Sequence, residues 1–375
     1  MKYLFKLGHQ PEISKAEIFS VFEKKGLWCG IINQNENNLF LSAEMIDPKE
    51  FMSILGGTIL IAEKVESEGS DEVEKIANYL TEAQPEGKIE FALSGLNVED
   101  LLMPVKNKLK EKGRSARFVK IKNTASIKYN NLVEFGTHIH LSNQGLFVTK
   151  AIQPFEKMKR HGRDRPEADP ESGMLPPKLA RILINLSQAN KTNQLLDPFC
   201  GSGTILMEAA SMGYKNLIGN DKDSDSIEAS RKNLEWIKEA EQLEFEYELL
   251  NYPTEEISEQ LKNKVDCIIT EPFLGKPRTG KESKSILNKR KNELRRLYID
   301  TFYEFSDIIA EDGVVVFIIP AFRFEDEWLR IDCISELKQA EFKPTPFKNQ
   351  DYLFYSRDDQ LVGREIWKFT LADSN

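Results

Sequence analysis

The residues of this chain best placed to do chemistry fall in three short stretches, 195–204, 217–221 and 265–275. In the first, Leu195-Leu196 runs into Asp197-Pro198-Phe199-Cys200-Gly201-Ser202-Gly203-Thr204, and a helical pattern follows at once. A strand ending in such a glycine-rich turn leaves backbone N–H groups at a helix N-terminus, where they can hold the polar end of a cofactor. The dinucleotide fingerprint asks for a third glycine where this chain has Leu206, which disfavours a dehydrogenase. Asp221 ends the second stretch, at a place from which a carboxylate can accept hydrogen bonds from both ribose hydroxyls, with Asp223 a close competitor. The third stretch is a buried-strand run, Val265 to Ile269, that leads into Thr270-Glu271-Pro272-Phe273-Leu274-Gly275. It sets a carboxylate, a proline and an aromatic ring at the mouth of a site.

Positioning these groups requires strands that end on one side of a sheet. From about residue 178 strand and helix patterns alternate: a helix carrying Leu179, Ile182, Leu183 and Leu186, then strands ending at Leu196, Asn220, Leu250 and Thr270 with helices between them. A basic loop, a helix at roughly 290–310, the strand Val314–Ile319, a helix around 326–339 and a terminal pair of strands near 352–355 and 365–369 complete the pattern. This order predicts a mostly parallel, doubly wound α/β sheet with a terminal antiparallel hairpin, binding ligands at the strands' carboxyl ends. Residues 1–65 read as β-α-β-β-α-β, a ferredoxin-like α+β unit with the polar loop Asn33–Asn37 as its hairpin. A second unit follows at 66–153, in which His138 and His140 alternate on a strand and read as pairing-face residues. Five prolines between Pro154 and Pro177 mark 154–177 as a linker before a domain at 178–375.

Composition narrows the function. A chain of 375 residues exceeds one ordinary core, and 40% apolar with 30% charged residues describes a soluble protein. No signal pattern and no bilayer-length apolar run appear, so a cytoplasmic location and no membrane partner are expected. Cysteines at 29, 200, 267 and 333 are too scattered for a metal knuckle, and no metal is expected. The net charge of −9 conceals an uneven distribution: nine basic residues against one acidic from Met103 to Lys128, and nine against two from Leu274 to Arg296. Two basic runs, one beside the candidate site, point to a phosphate backbone; Lys106, Lys110, Arg114, Arg117, Lys120, Lys276 and Arg278 are the expected RNA contacts.

These motifs resemble the THUMP-domain tRNA guanosine N2-methyltransferases of the position-10 type. The resemblance rests on Asp197–Thr204, on the approach from Arg165-Pro166 through Gly173-Met174-Leu175-Pro176-Pro177-Lys178-Leu179-Ala180, and on the tail Gln360-Leu361-Val362-Gly363-Arg364-Glu365-Ile366. It implies a ferredoxin-like unit, a THUMP RNA-binding domain at 66–153 and a class I, Rossmann-like methyltransferase domain that uses S-adenosylmethionine on tRNA. Asp197, Phe199, Gly201 and Gly203 would then hold the methionine part of the cofactor, Met174 and Leu175 would close over it, Asp221 would bind the ribose and Asn251 would face the adenine edge. Family members usually carry Asp-Pro-Pro-Tyr-Gly where this chain has Glu271-Pro272-Phe273-Leu274-Gly275. The catalytic expectation is that Glu271 accepts a hydrogen bond from the target amine beside Pro272, while Phe273 supplies the stacking ring. The same turn serves any exocyclic amine, so an adenine-N6 methyltransferase on DNA or ribosomal RNA is the alternative, as is an inactive tRNA-binding homologue. Whether a small activating protein partner is needed stays open.

Overall fold

The computed structural model describes residues 1–168, 174–348 and 350–372. The chain forms two compact units, Met1–Pro11 with Lys25–Pro154 and Glu12–Lys24 with Phe155–Asn375. Residues 1–65 and 66–153, expected as separate units, thus contribute strands to one sheet. Its strands are β1 (Lys2–Leu7), β2 (Cys29–Asn35), β3 (Asn38–Ala43), β4 (Thr58–Val65), β5 (Ile89–Gly95), β6 (Ala116–Phe118), β7 (His138–Ser142) and β8 (Gly145–Ile152), in the order β2-β3-β1-β4-β8-β7-β5-β6.

The half β2-β3-β1-β4 is antiparallel throughout and has the strand order of a ferredoxin-like unit. Its hairpin is tighter than the expected five-residue loop: pairing runs to Asn35↔Asn38, leaving Glu36 and Asn37 to turn, with a bulge between Ile31 and Asn33. In the other half the helices Glu72–Ala83 and Val98–Glu111 bury Ile76, Leu80, Leu102, Val105 and Leu109 against Phe91, Ile139 and Val148. His138 and His140 face hydroxyls there, Nδ1 to Thr149 Oγ1 at 2.8 Å and to Ser94 Oγ at 3.1 Å. Burial pushes their pKa values down to about 3 and about 4.

The second unit is built on β9 (Gln194–Asp197), β10 (Asn216–Asn220), β11 (Glu246–Leu250), β12 (Val265–Thr270), β13 (Ile309–Phe324), β14 (Glu327–Arg330), β15 (Phe342–Pro344), β16 (Tyr352–Tyr355) and β17 (Val362–Leu371). The order is β11-β10-β9-β12-β13-β17-β15, parallel as far as β13 and antiparallel at β17. The chain leaves β9 outward to β10 and β11, then returns to β12 on its other side. The strand order therefore reverses beside β9, which is where an open α/β sheet opens a crevice at its carboxyl edge. The expected terminal hairpin is present, with β16 pairing β17.

Three expectations about this unit need correction. The helix expected around 326–339 is broken up: β13 runs on to Phe324 and turns back into β14, so only Ile334–Leu337 is helical. The reason is side-chain alternation, which buries Phe322 and Leu329 in the core while Arg323 and Arg330 stay outside it. The short β15 was not anticipated; its Phe342 meets Phe302 edge-on at 5.0 Å, and Phe302 meets Phe317 and Phe369 at 5.1 and 5.0 Å. The linker expected at 154–177 is, over residues 155–168, part of the second unit. His161 on it is fully buried between Glu208 and Glu241. The part of that segment at 169–173, including Gly173 of the approach motif, lies outside the described residues. No described helix is long and apolar enough to cross a membrane.

Candidate active site

The glycine-rich turn follows β9 and ends where the helix Thr204–Ser211 begins, with Gly203 at its cap. Gly201 and Gly203 take φ of +50° and +80°, backbone that other residues adopt only at a cost. At Gly203 space is short as well, since a Cβ there would lie 2.5 Å from Ser230 Oγ. Gly203→Ala is expected to cost roughly 1–3 kcal/mol, seen as a lower urea midpoint. An unchanged midpoint would mean that the turn relaxes freely. Leu206 is tolerated at the third fingerprint position because the close approach is met from the opposite side: a Cβ on Gly219 of β10 would lie 2.6 Å from Leu206 Cδ1.

Two carboxylates brace the turn from successive strand ends. Asp197 is 2% exposed and accepts hydrogen bonds from Thr270 Oγ1 at 2.7 Å and from the Phe199 N–H at 3.2 Å. Burial, aided by the charges of Asp221 and Glu271, outweighs these bonds and raises its pKa to about 7. Asp221 accepts from the Gly201 N–H at 3.0 Å through Oδ2 and from the Asp223 N–H at 3.0 Å through Oδ1. Asp223 instead caps the helix Ser224–Ala240. Asn251 donates to the Asp221 carbonyl at 2.8 Å, so its Nδ2 is engaged beside Asp221.

Glu271 follows β12 directly and lines the same cavity, about 480 Å³, as Asp197, Phe199, Gly201, Met174 and Leu175. It is ion-paired with Arg364 of β17, Nε to Oε1 at 2.5 Å and Nη2 to Oε2 at 3.4 Å. Pro272 is buried. Phe273 leaves 54% of its surface exposed, while its carbonyl accepts the buried Tyr298 hydroxyl at 2.8 Å, which fixes the backbone that carries the ring.

Sequence reasoning missed several positioning residues. Asn220, fully buried at the end of β10, donates to the Pro198 and Tyr252 carbonyls at 3.3 and 3.1 Å and accepts from the Tyr252 N–H at 3.2 Å. It thereby ties the turn to the loop after β11. Arg364 stood in the tail motif, but nothing local signals that it meets Glu271, 93 residues away. Arg165, which opens the approach motif but was given no role of its own, is buried against the turn.

The expected RNA contacts divide. Lys110, Lys120 and Lys276 are exposed and Lys106 is half-buried. Arg114 donates to the Gln84 and Gly87 carbonyls at 2.6 and 3.2 Å, and Arg117 forms a two-point pair with Glu90 at 2.7 Å in each bond. Arg278 is a correction: its side chain is 3% exposed, and it donates to the Arg323 and Leu361 carbonyls and to Glu282. These bonds hold the loop before the helix Lys284–Ile308 together and keep the guanidinium buried, away from a phosphate at the surface.

Among known proteins, a family model described as an RMKL-like methyltransferase domain matches residues 165–330, and one described as a DNA methylase matches residues 23–232. A tRNA (guanine(10)-N2)-dimethyltransferase of Methanothermobacter thermautotrophicus is 30% identical over 182 residues, 48% of this chain and 49% of that protein. The match thus spans about half the length of that relative. A probable tRNA (guanine(10)-N2)-dimethyltransferase of Methanothermococcus thermolithotrophicus is 33% identical over 144 residues, 37% of this chain and 78% of that protein. Among solved structures, TrmN from Thermus thermophilus aligns over 99% of this chain and 100% of its own with a TM-score of 0.53 at 15% identity, a likeness of fold alone.

Proposed function

The chain belongs to the tRNA (guanine(10)-N2)-dimethyltransferase family, and we propose that it transfers methyl groups from S-adenosylmethionine to the exocyclic N2 of a guanosine in tRNA, the one at position 10. The observation that carries this reading is Glu271, which lines one cavity with the glycine-rich turn at the strands' carboxyl edge. The site suits the cofactor chemically. Asp221 and Glu271 supply negative charge, joined by Asp197 as it ionises around its pKa of about 7, for a molecule that bears a sulfonium and an ammonium, and the cradle at Gly203 has no room for a side chain. S-adenosylmethionine, when bound, supplies a methyl group already activated by positive sulfur.

What remains for the protein is positioning and a proton. The guanine amine is a weak nucleophile because its lone pair is delocalised into the ring. A fixed carboxylate that accepts one N–H orients that lone pair and takes up the proton that methylation releases. Glu271 is the group so placed, held by Arg364. Phe273, with its backbone pinned by Tyr298, offers a ring on which an extruded base can stack. Residues 66–153 act in this reading as the THUMP RNA-binding domain, with Lys106, Lys110 and Lys120 contacting phosphates and Lys276 doing so beside the site. The enzyme is read as cytoplasmic, and a small activating protein enters only if the purified chain binds both substrates without turnover.

The test is to incubate the full chain and labelled S-adenosylmethionine with tRNA, ribosomal RNA and duplex DNA, then digest the products to nucleosides. N2-methylguanosine and N2,N2-dimethylguanosine from tRNA are expected. N6-methyladenine instead would favour the reading suggested by the DNA methylase match. Cofactor binding without any product, with and without a cell extract, would identify a non-catalytic homologue.

A further inference from the structure

Arg165 is a buried cation whose described partners carry no charge. It is 4% exposed; Nη1 donates to Thr204 Oγ1 at 2.8 Å, and Nη2 donates to Ser202 Oγ at 3.0 Å. Its other contacts are two thioethers, Met174 Sδ at 2.6 Å and Met207 Sδ at 3.8 Å. Among the described residues its Nε–H has no acceptor, and it forms no ion pair. Burial pulls its pKa down to about 10, against the charge of Glu208. A guanidinium taken out of water needs a negative partner to offset its desolvation.

The neighbouring groups show where such a partner would sit. Arginine has donors only, so the Ser202 and Thr204 oxygens act as acceptors towards it and their own O–H bonds are directed elsewhere, that of Ser202 at the weak acceptor Met174 Sδ, 3.8 Å away. Both residues line the cavity that holds the glycine-rich turn. Thr204 also opens the helix Thr204–Ser211, whose first backbone N–H groups lack intrahelical acceptors and carry the positive end of the helix dipole. The lining therefore divides by chemistry, into the Ser202 and Thr204 hydroxyls backed by Arg165 and the acids Glu167, Asp197, Asp223, Asp225 and Glu271. An α-amino acid group, with a carboxylate and an ammonium on one carbon, matches that division.

We infer that Arg165, acting through Ser202 and Thr204, forms the subsite for the α-carboxylate of the methyl donor's amino-acid part. The inference rests on the methyl-donor reading above and assigns one end of that ligand. Arg165 is on this account a positioning residue that fixes and polarises two hydroxyl donors. The competing account is a tether that only holds residues 155–168 against the turn. It predicts that losing Arg165 weakens every adenosyl ligand alike.

Calorimetry with a matched pair of ligands separates the two accounts. S-adenosylhomocysteine carries the carboxylate, and S-adenosyl-3-thiopropylamine is the same molecule without it. The wild-type chain is expected to prefer the first by roughly 10- to 100-fold, the range for charge-assisted hydrogen bonds. Arg165→Met should remove most of that preference by weakening S-adenosylhomocysteine while leaving the amine within about threefold, and Arg165→Lys should restore part of it. Ser202→Ala, which leaves the buried arginine in place, should reduce the preference by a smaller factor and covers the case in which Arg165→Met fails to fold. Equal weakening of both ligands in Arg165→Met, or a full preference retained in it or in Ser202→Ala when Arg165→Met cannot be made, overturns the inference. A wild-type chain that binds neither ligand sinks the methyl-donor reading as well.

Discussion

Glu271→Gln is expected to slow methyl transfer to tRNA by about 10²- to 10⁴-fold, with S-adenosylhomocysteine affinity changed by less than about threefold. The amide keeps the shape and one acceptor oxygen but cannot take up the proton released from the amine. It also leaves the Arg364 guanidinium, 7% exposed, facing a neutral group. Glu271→Asp tests reach as distinct from charge. It retains the carboxylate and restores the residue usual at this turn, but draws it back from Arg364; a misplacement of about 1 Å can by itself cost roughly 100-fold. If Arg364 is what fits glutamate to this turn, Glu271→Asp is slow although it matches the family. The Asp197 carboxyl, at about 7 and raised in part by Glu271, should titrate lower in Glu271→Gln, which NMR of labelled aspartate would record. Methylation at the wild-type rate in Glu271→Gln would remove Glu271 from the mechanism.

Glu208→Gln is expected to destabilise the second unit by about 3–5 kcal/mol, because it removes the buried negative charge that two buried cations share. Glu208 is 1% exposed and bonds Arg181 Nε at 2.6 Å through Oε2 and His161 Nδ1 at 2.7 Å through Oε1. His161 Nε2 meets Glu241 at 2.8 Å, and Glu241 also pairs with Lys157. Burial acts to lower the His161 pKa, but its bonds to Glu208 and Glu241 and their charges prevail, so it is raised above 6.5. A raised histidine stabilises fully below its unfolded value of about 6.5, and that stability is lost as pH climbs through the folded value. Glu241 works in the opposite direction. Burial would raise its carboxyl, yet bonds from His161 and Lys157 hold it at about 2, so its contribution is present above about 4.5 and is lost towards about 2. The network therefore stabilises most between about pH 4.5 and 6.5. Urea midpoints of the wild type should fall from pH 6 to pH 9, and Glu208→Gln should fall less steeply. Parallel curves would mean that His161 is not charged in the folded protein.

The alternating pattern after residue 178 was enough to read a parallel sheet, because each βα unit is coded locally by an apolar run followed by a helical period. The carboxyl-edge residues Asp197, Asp221 and Glu271 could be placed for the same reason: each ends its own strand, and strands that run parallel end together. Where local signals compete, the reading failed. The stretch 326–339 carries enough polar residues to suggest a surface helix, yet a tight turn at Glu325, with φ of +53°, folds it back as β14. Prolines and charges at 154–177 marked a linker without showing what it packs against. The burial of His161 depends on Glu208 and Glu241, which lie 47 and 80 residues further along the chain.

By itself, then, the sequence determined which residue types stand at the ends of β9, β10 and β12, and with them the chemistry the site can perform. Only the tertiary structure decided their partners. Arg364 comes to Glu271 because β17 runs antiparallel beside β13, at the far side of β12 from the glycine turn. Arg165 comes to Ser202 and Thr204 because the segment before the domain is held down by a buried ion network. Arg278 drops out of the RNA contacts because its side chain is buried, with Nη1 donating to the backbone carbonyls at 323 and 361. A side chain's type and strand position are local properties, legible within a window of about ten residues. Which opposite charge it meets depends on contacts between distant segments, and no window of the sequence contains both partners.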